Sequence, residues 1–190
     1  MKAAVLREFG PPNVLRYEDV PDPQPRLGEL RIRVHAATVN RVLDVSLRAG
    51  REAQRGPVLP LILGVDCAGI VDAVGEGVTR FKVGDHVASA GVMPLDPCPE
   101  DGAGYSGPVG MMGIKRPGGF AELVCVSASK TNLLPKSLNF HEAAVVMRHC
   151  PTAWNLLTNV AQLKAGEWVL IMGASGNLGM VGIQIAKHVI

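Results

Sequence analysis

The densest chemical signal lies late in the chain, where the apolar run Trp168-Val169-Leu170-Ile171-Met172 leads straight into Gly173-Ala174-Ser175-Gly176-Asn177-Leu178-Gly179. Met180 to Val189 continue with helix-compatible residues. A strand, a glycine turn and a helix in that order can hold a pyrophosphate. Gly176 would let the backbone approach the anion, Gly179 would let helix and strand pack closely, and the helix N-terminus would offer free N–H donors. The pattern departs from G-x-G-x-x-G by placing Ala174 at its first position. Such glycines can also do no more than make a tight strand-to-helix turn, but the flanking elements favour a dinucleotide. The residue that chooses between NAD and NADP lies ~20 positions further on, past Ile190.

Other reactive residue types are dispersed. Cys67, Cys98, Cys125 and Cys150 lie far apart without a C-x-x-C pair, which argues against a secreted disulfide framework and a ribbon-type zinc site and for structural thiols. His35, His86, His141, His149 and His188 lack ligand spacing. Cys150 follows His149, but adjacent residues do not face one another on a helix, so a nucleophile–base pair is not expected.

The elements that must position these residues read as two textures. Leu30-Arg31-Ile32-Arg33-Val34-His35-Ala36 alternates apolar and polar side chains, as a strand with one wet face does. Gly69 to Gly75 forms another short strand, Gly75-Glu76-Gly77 a turn, and Phe81 to Val87 a turn into a third strand. Pro21 to Pro25 is an extended connection, and residues 91–119, rich in Gly, Pro and Met, read as a long excursion or flexible lobe. Regular pattern resumes at Phe120 to Val126. Asn139 to Leu157 has helical spacing, with Asn139 and Glu142 forming a capping box. Pro151 should divide that stretch into two helices. Trp168 to Met172 has the continuous apolar texture of a parallel strand buried on both faces. The boundary between the two textures falls near 125–135.

Composition narrows the function. With 190 residues, 47% hydrophobic and only 4% aromatic, the chain has material for one or two aliphatic cores of α/β or mixed type. Its 19 basic and 17 acidic residues are interspersed, so no nucleic-acid partner is implied. No apolar run nears the ~20 residues of a membrane span, and a cytoplasmic protein without a membrane partner is the expectation.

Taken in order, Met1 to Val5, Gly64-Val65-Asp66-Cys67-Ala68-Gly69-Ile70-Val71, Val74-Gly75-Glu76-Gly77-Val78, Phe81 to Val87, Gly118-Gly119-Phe120-Ala121-Glu122, Thr152-Ala153-Trp154 and the glycine loop with Gly182 to Lys187 resemble the medium-chain dehydrogenase/reductase family, in its zinc-free, quinone oxidoreductase-like branch. The resemblance implies an α/β chain: a GroES-like β-rich N-terminal domain over 1–128, followed over 129–190 by the incomplete start of a Rossmann dinucleotide-binding domain. The family's alcohol dehydrogenases hold zinc with an early cysteine, the histidine of a Gly-His-Glu segment and a later cysteine or acidic ligand. Here those regions read Asn40-Arg41-Val42-Leu43-Asp44, Gly64-Val65-Asp66 and, near the third, Arg148, and residues 88–119 contain only Cys98 in place of a four-cysteine lobe. Valine has no lone pair to give a metal and arginine stays protonated. No metal is therefore expected.

The zinc-free branch implies hydride transfer from NADPH, with NADH not excluded, to a quinone or enone, and a homodimer or homotetramer at full length. Asn40 matches the asparagine of the branch's Val-Asn segment, with one extra residue before Asp44. By resemblance Asn40 and Asp44 are the catalytic candidates, Asn40 positioning nicotinamide or acceptor and Asp44 more simply stabilising the loop. Thr152, Ala174, Ser175, Gly176, Asn177, Leu178 and Gly179 are the cofactor-binding candidates. A turn or cap is the alternative for each polar member. Met111-Met112 either lines an acceptor entrance or fills space. The rival readings are an enoyl-thioester reductase, lowered by the lack of a tyrosine near Asn40, a nucleotide-binding protein without turnover, and a truncated chain whose lone βα unit leaves strand edges unpaired.

Overall fold

The computed structural model describes residues 1–188, so Val189, the expected end of the last helix, lies outside the described residues. Cα packing divides the chain into two compact units, Met1–Ala144 and Val145–Ile190.

The first unit is β-rich. Strands β1 (Lys2–Leu6), β2 (Leu15–Asp19), β3 (Glu29–Ala36), a π turn at Arg41–Val45, helix α1 (Ser46–Arg48), β4 (Leu61–Ile62), β5 (Asp66–Val74), β6 (His86–Ala90), β7 (Val92–Pro94), β8 (Val109–Met111), β9 (Leu123–Ser127) and β10 (Thr131–Leu133) follow in order. They form sheets ordered β2-β1-β4, β10-β6-β5-β3-β9 and β7-β8, antiparallel throughout. The alternation of β3 decides the core. Leu30 and Ile32 are fully buried against Val71, Val87, Val124 and Val126, while Glu29, Arg31 and Arg33 take the opposite face. A second apolar cluster joins Leu6, Leu43, Leu47, Leu63 and Val65, and so seats the turn that carries Asn40 and Asp44.

Residues 91–119 are more regular than their composition predicts. β7 pairs with β8, Met93 and Met112 are fully buried, and Arg116 donates to the Pro94 carbonyl at 2.7 Å. Met112 therefore fills the core, whereas Met111 is half-buried.

Two family-like segments meet here. Gly118, Gly119 and Phe120 donate to the carbonyls of Ile62, Gly64 and Leu63 at 2.8, 3.1 and 2.9 Å. Gly64 adopts φ +104°, and a Cβ there would lie 2.7 Å from the Gly119 nitrogen. Glycine is required at that crossing because only its backbone combines a positive φ with such an approach.

Helix α2 (Phe140–Asn155) opens with the expected capping box: Glu142 N–H donates to Asn139 Oδ1 at 3.0 Å, and Asn139 N–H to Glu142 Oε2 at 3.1 Å. Pro151 does not divide it, contrary to the sequence expectation. The helix runs through the proline with Ala153 buried, and Leu157 is buried in the π turn Leu156–Val160 that follows. The apolar anchorage beyond the proline offsets the hydrogen bond it removes. Because β10 and the first turn of α2 pack with the first unit, the packing boundary falls at Ala144 and Val145.

In the second unit, helix α3 (Asn177–His188) follows the glycine loop as expected. Trp168 to Met172 is not a strand, however. Val169 and Ile171 line a cleft with Ile183 and Ala186 of α3, whereas Leu170 and Met172 are 85% and 83% exposed. A strand needs a neighbour for its N–H and C=O groups, and among the described residues of this unit there is none.

Candidate active site

The Asn40 turn is built from two interlocking carboxamide and carboxylate contacts. Asn40 Oδ1 accepts from Val42 N–H and Leu43 N–H, both at 3.0 Å, so the side chain caps the Arg41–Val45 turn as an N-cap residue does. Asp44, only 3% exposed, returns the contact: Oδ2 accepts from Asn40 N–H at 2.7 Å and Oδ1 from Gly64 N–H at 3.0 Å. Asp44 thus ties the Asn40 turn to the Gly64-Val65-Asp66 segment through buried, charge-assisted bonds. The stretch from Arg41 to Val45 winds as a π turn.

A second clamp escaped the sequence reading. Asp66, fully buried, accepts from Thr38 N–H at 2.7 Å and from the Thr38 hydroxyl. The residues Thr38 to Asn40 therefore hang between two buried carboxylates. Asp66 was visible in its family-like segment, but its pairing with Thr38 depends on how β3 and β5 bring the two together. Around the half-buried Asn40, Val39 and Val42 are 71% and 64% exposed, giving the amide an apolar surround.

At the other zinc-ligand regions, Val65 is fully buried in the apolar cluster with Leu63, and Arg148 has a buried Nε without a hydrogen-bond partner. Among the described residues no three His, Cys, Asp or Glu side chains converge as metal ligands. His35 and His86 instead flank the Phe140 ring at 4.7 and 4.8 Å. Burial pushes the Cys67 and Cys150 thiols up, and coulombic repulsion from Asp66 adds to the rise at Cys67, so neither is poised as a thiolate.

In the second unit, Thr152 is exposed on α2. The glycine loop folds on itself: Gly173 adopts φ +67°, Gly176 N–H donates to the Gly173 carbonyl at 2.9 Å, and Met180 N–H to the Gly176 carbonyl at 2.9 Å. The N–H groups of the first turn of α3 have no acceptor inside the helix, so Asn177, Leu178 and Gly179 present donors at its positive end.

The two glycines differ in kind. A methyl at Gly179 would sit 2.5 Å from the Gly173 carbonyl oxygen and 2.7 Å from Ala174 Cα. At Gly176 the nearest atom would be the Gly173 oxygen at 3.3 Å. Gly179→Ala is therefore expected to distort the loop and destabilise the fold by about 1–3 kcal/mol, whereas Gly176→Ala should stay closer to the parent's unfolding midpoint. Thermal unfolding of the two variants separates them.

Residues 26–136, more than half of the chain, match the alcohol dehydrogenase GroES-like domain. The chain belongs to the medium-chain dehydrogenase/reductase family. It is 36% identical over 188 residues to the quinone oxidoreductase of Sus scrofa, covering 98% of this chain and 50% of that protein. Its fold superposes with a TM-score of 0.86 on an NAD-dependent alcohol dehydrogenase, at 36% identity over 98% of this chain and 55% of the other. A mycobacterial protein solved in complex with NADPH gives a TM-score of 0.77 at 33% identity, over 99% of this chain and 50% of the other. The chain spans about half the length of the quinone oxidoreductases it matches. Within the family's two-part layout, the first unit is GroES-like and the second holds the glycine loop and helix that open a nucleotide-binding domain. No helix among the described residues is long and apolar enough to cross a membrane.

Proposed function

We propose that this chain contributes the acceptor-binding domain and the first part of the cofactor cradle of a zinc-independent, NADPH-dependent reductase of quinones or α,β-unsaturated carbonyls. The observation that carries the reading is the Asn40 turn. Where zinc-dependent relatives place a thiolate ligand, this chain has an amide whose oxygen is committed to backbone N–H groups. Its Nδ2 is the amide's remaining donor, and the neighbouring Val39 and Val42 are exposed. Val65 and Arg148 supply no ligand in the other two regions, which supports a mechanism without a Lewis acid.

The glycine loop suits a dinucleotide pyrophosphate: Gly176 carries no side chain at the turn, and the first turn of α3 offers several N–H donors. Ala174, Ser175, Gly176, Asn177, Leu178 and Gly179 would hold the phosphates, and Thr152 would contact the nicotinamide. The bound cofactor supplies the hydride. The protein's own part is orientation and polar stabilisation. Asn40 donates from Nδ2 to the acceptor oxygen as negative charge develops there, while Asp44 and Asp66 are positioning residues that fix the backbone carrying Asn40. Exposed Val39 and Val42 favour a flat, apolar acceptor over a charged one.

The 190-residue chain alone should not turn over, whereas the full-length enzyme that carries it should oxidise NADPH with a naphthoquinone or a simple enone, at a rate that a metal chelator leaves unchanged. A rate seen only with enoyl-thioesters would replace the quinone assignment. Tight NADPH binding with no oxidation across both substrate panels would make the protein a nucleotide binder without turnover.

A further inference from the structure

The alternation that buries Leu30 and Ile32 turns Glu29, Arg31 and Arg33 onto the other face of the large sheet. There the residues paired with Arg31 and Arg33 on β9 are Cys125 and Leu123. This face is partly covered. The connection after β2 and the Leu95 and Arg116–Pro117 parts of the lobe border its Glu29 end, around an open-sided cavity of about 480 Å³, within the range of small-molecule sites.

The cavity is built unevenly. Val20, Pro23, Ile62 and Leu123 give it apolar walls, while its charged lining residues are Arg26, Lys115, Arg116 and the N-terminal Met1, whose ammonium is paired with Asp22, against the single lining carboxylate of Glu29. Glu29 accepts from Arg26 at 2.9 Å and from Arg116 at 2.8 Å, so one anion serves two guanidinium groups. Arg116 spends its other terminal contacts on the Pro94 and Cys125 carbonyls, and its Nε is buried with no hydrogen-bond partner. A buried donor left unpaired is costly and marks a place where an acceptor would be favoured. The Cys125 thiol, pushed up to about 12 by burial and by the Glu29 charge, stays neutral and does not compete as an anion.

We propose that this cavity binds a small monocarboxylate with an apolar body, the carboxylate against Arg116 and the body along Val20, Ile62 and Leu123. None of its lining residues belongs to the Asn40 turn or to the glycine loop, so the site is separate from the reductase reading and stands or falls without it.

Octanoate, octanol and acetate titrated into the purified protein, followed by calorimetry, test the proposal. Octanoate should bind saturably and about tenfold or more tightly than either of the others, since the charge-assisted contact and the apolar wall are both required. Arg116→Gln should lose that preference. Because Arg116 also anchors the lobe, Gln24→Trp provides an independent variant: it places a large ring at the exposed rim, leaves the Arg116–Glu29 pair in place and should abolish octanoate binding. Octanol binding as tightly as octanoate, or octanoate binding unchanged in Gln24→Trp, would overturn the site.

Discussion

Replacing Asn40 by aspartate is expected to leave the fold intact and to lower quinone reduction about 10²–10³-fold, the usual cost of removing one donor to a developing oxyanion. The two roles of the side chain use different atoms. Oδ1 caps the Arg41–Val45 turn through Val42 and Leu43 N–H, and a carboxylate oxygen caps as well as an amide oxygen does. Only the Nδ2 donor is lost, and a negative charge is added where the reaction develops another. The loss should therefore fall on kcat, with NADPH affinity and the unfolding midpoint near those of the parent. Asn40→Ala removes cap and donor together and should cost about 0.5–2 kcal/mol of stability in addition. Wild-type turnover in Asn40→Asp would reduce Asn40 to a cap and remove the central element of the proposed function.

Much of the first unit could be read from local pattern because its determinants are local. The alternation in β3, the positive-φ turn at Gly77 and the Asn139–Glu142 capping box each need only a few neighbouring residues, and each is present in the fold. The cross-chain determinants were invisible. The clamp of Asp66 on Thr38 and the packing of Gly64 on Gly119 join residues far apart in sequence. The order within 91–119 comes from the β7–β8 pairing and from two arginines that hold its carbonyls, Arg26 from outside the segment and Arg116 from within it, rather than from any period of its own. Two of the expectations that failed did so for a shared reason, since propensity and tertiary partners disagreed. Pro151 should break a helix, yet burial on its C-terminal side carries α2 through it. Trp168 to Met172 should be a strand, yet an apolar run becomes one only where another backbone accepts its hydrogen bonds. Asn40 and Asp44 are an intermediate case, found together through resemblance, with their division of labour written only in which atom meets which N–H.

Glu29→Leu should be among the most destabilising single changes in the first unit, at about 3–5 kcal/mol, the range seen when one partner of a buried ion pair is removed. The Glu29 carboxylate is 5% exposed and lies between Arg26 and Arg116, itself 11% exposed on its side chain. Those guanidinium groups also hold the Leu95 and Pro94 carbonyls, so the change leaves Arg116 charged and buried and loosens the lobe with it. Burial alone would raise the pKa of Glu29, but hydrogen bonds from Arg26 and the charge of Arg116 outweigh it and hold the carboxyl below its ordinary value. A depressed folded value means that the native state binds its proton less readily than the unfolded chain. The contribution is therefore complete above the ordinary glutamate range near 4.5 and is lost as pH falls through the lower folded value. Denaturant midpoints measured from pH 7 downward should show an acid limb in the parent that is flattened in Glu29→Gln. This variant keeps the shape of the side chain and loses only its titration. Parallel acid limbs in the two proteins would assign the pH dependence to other paired carboxylates, with Asp72, held low between Arg31 and Arg33, the next to test.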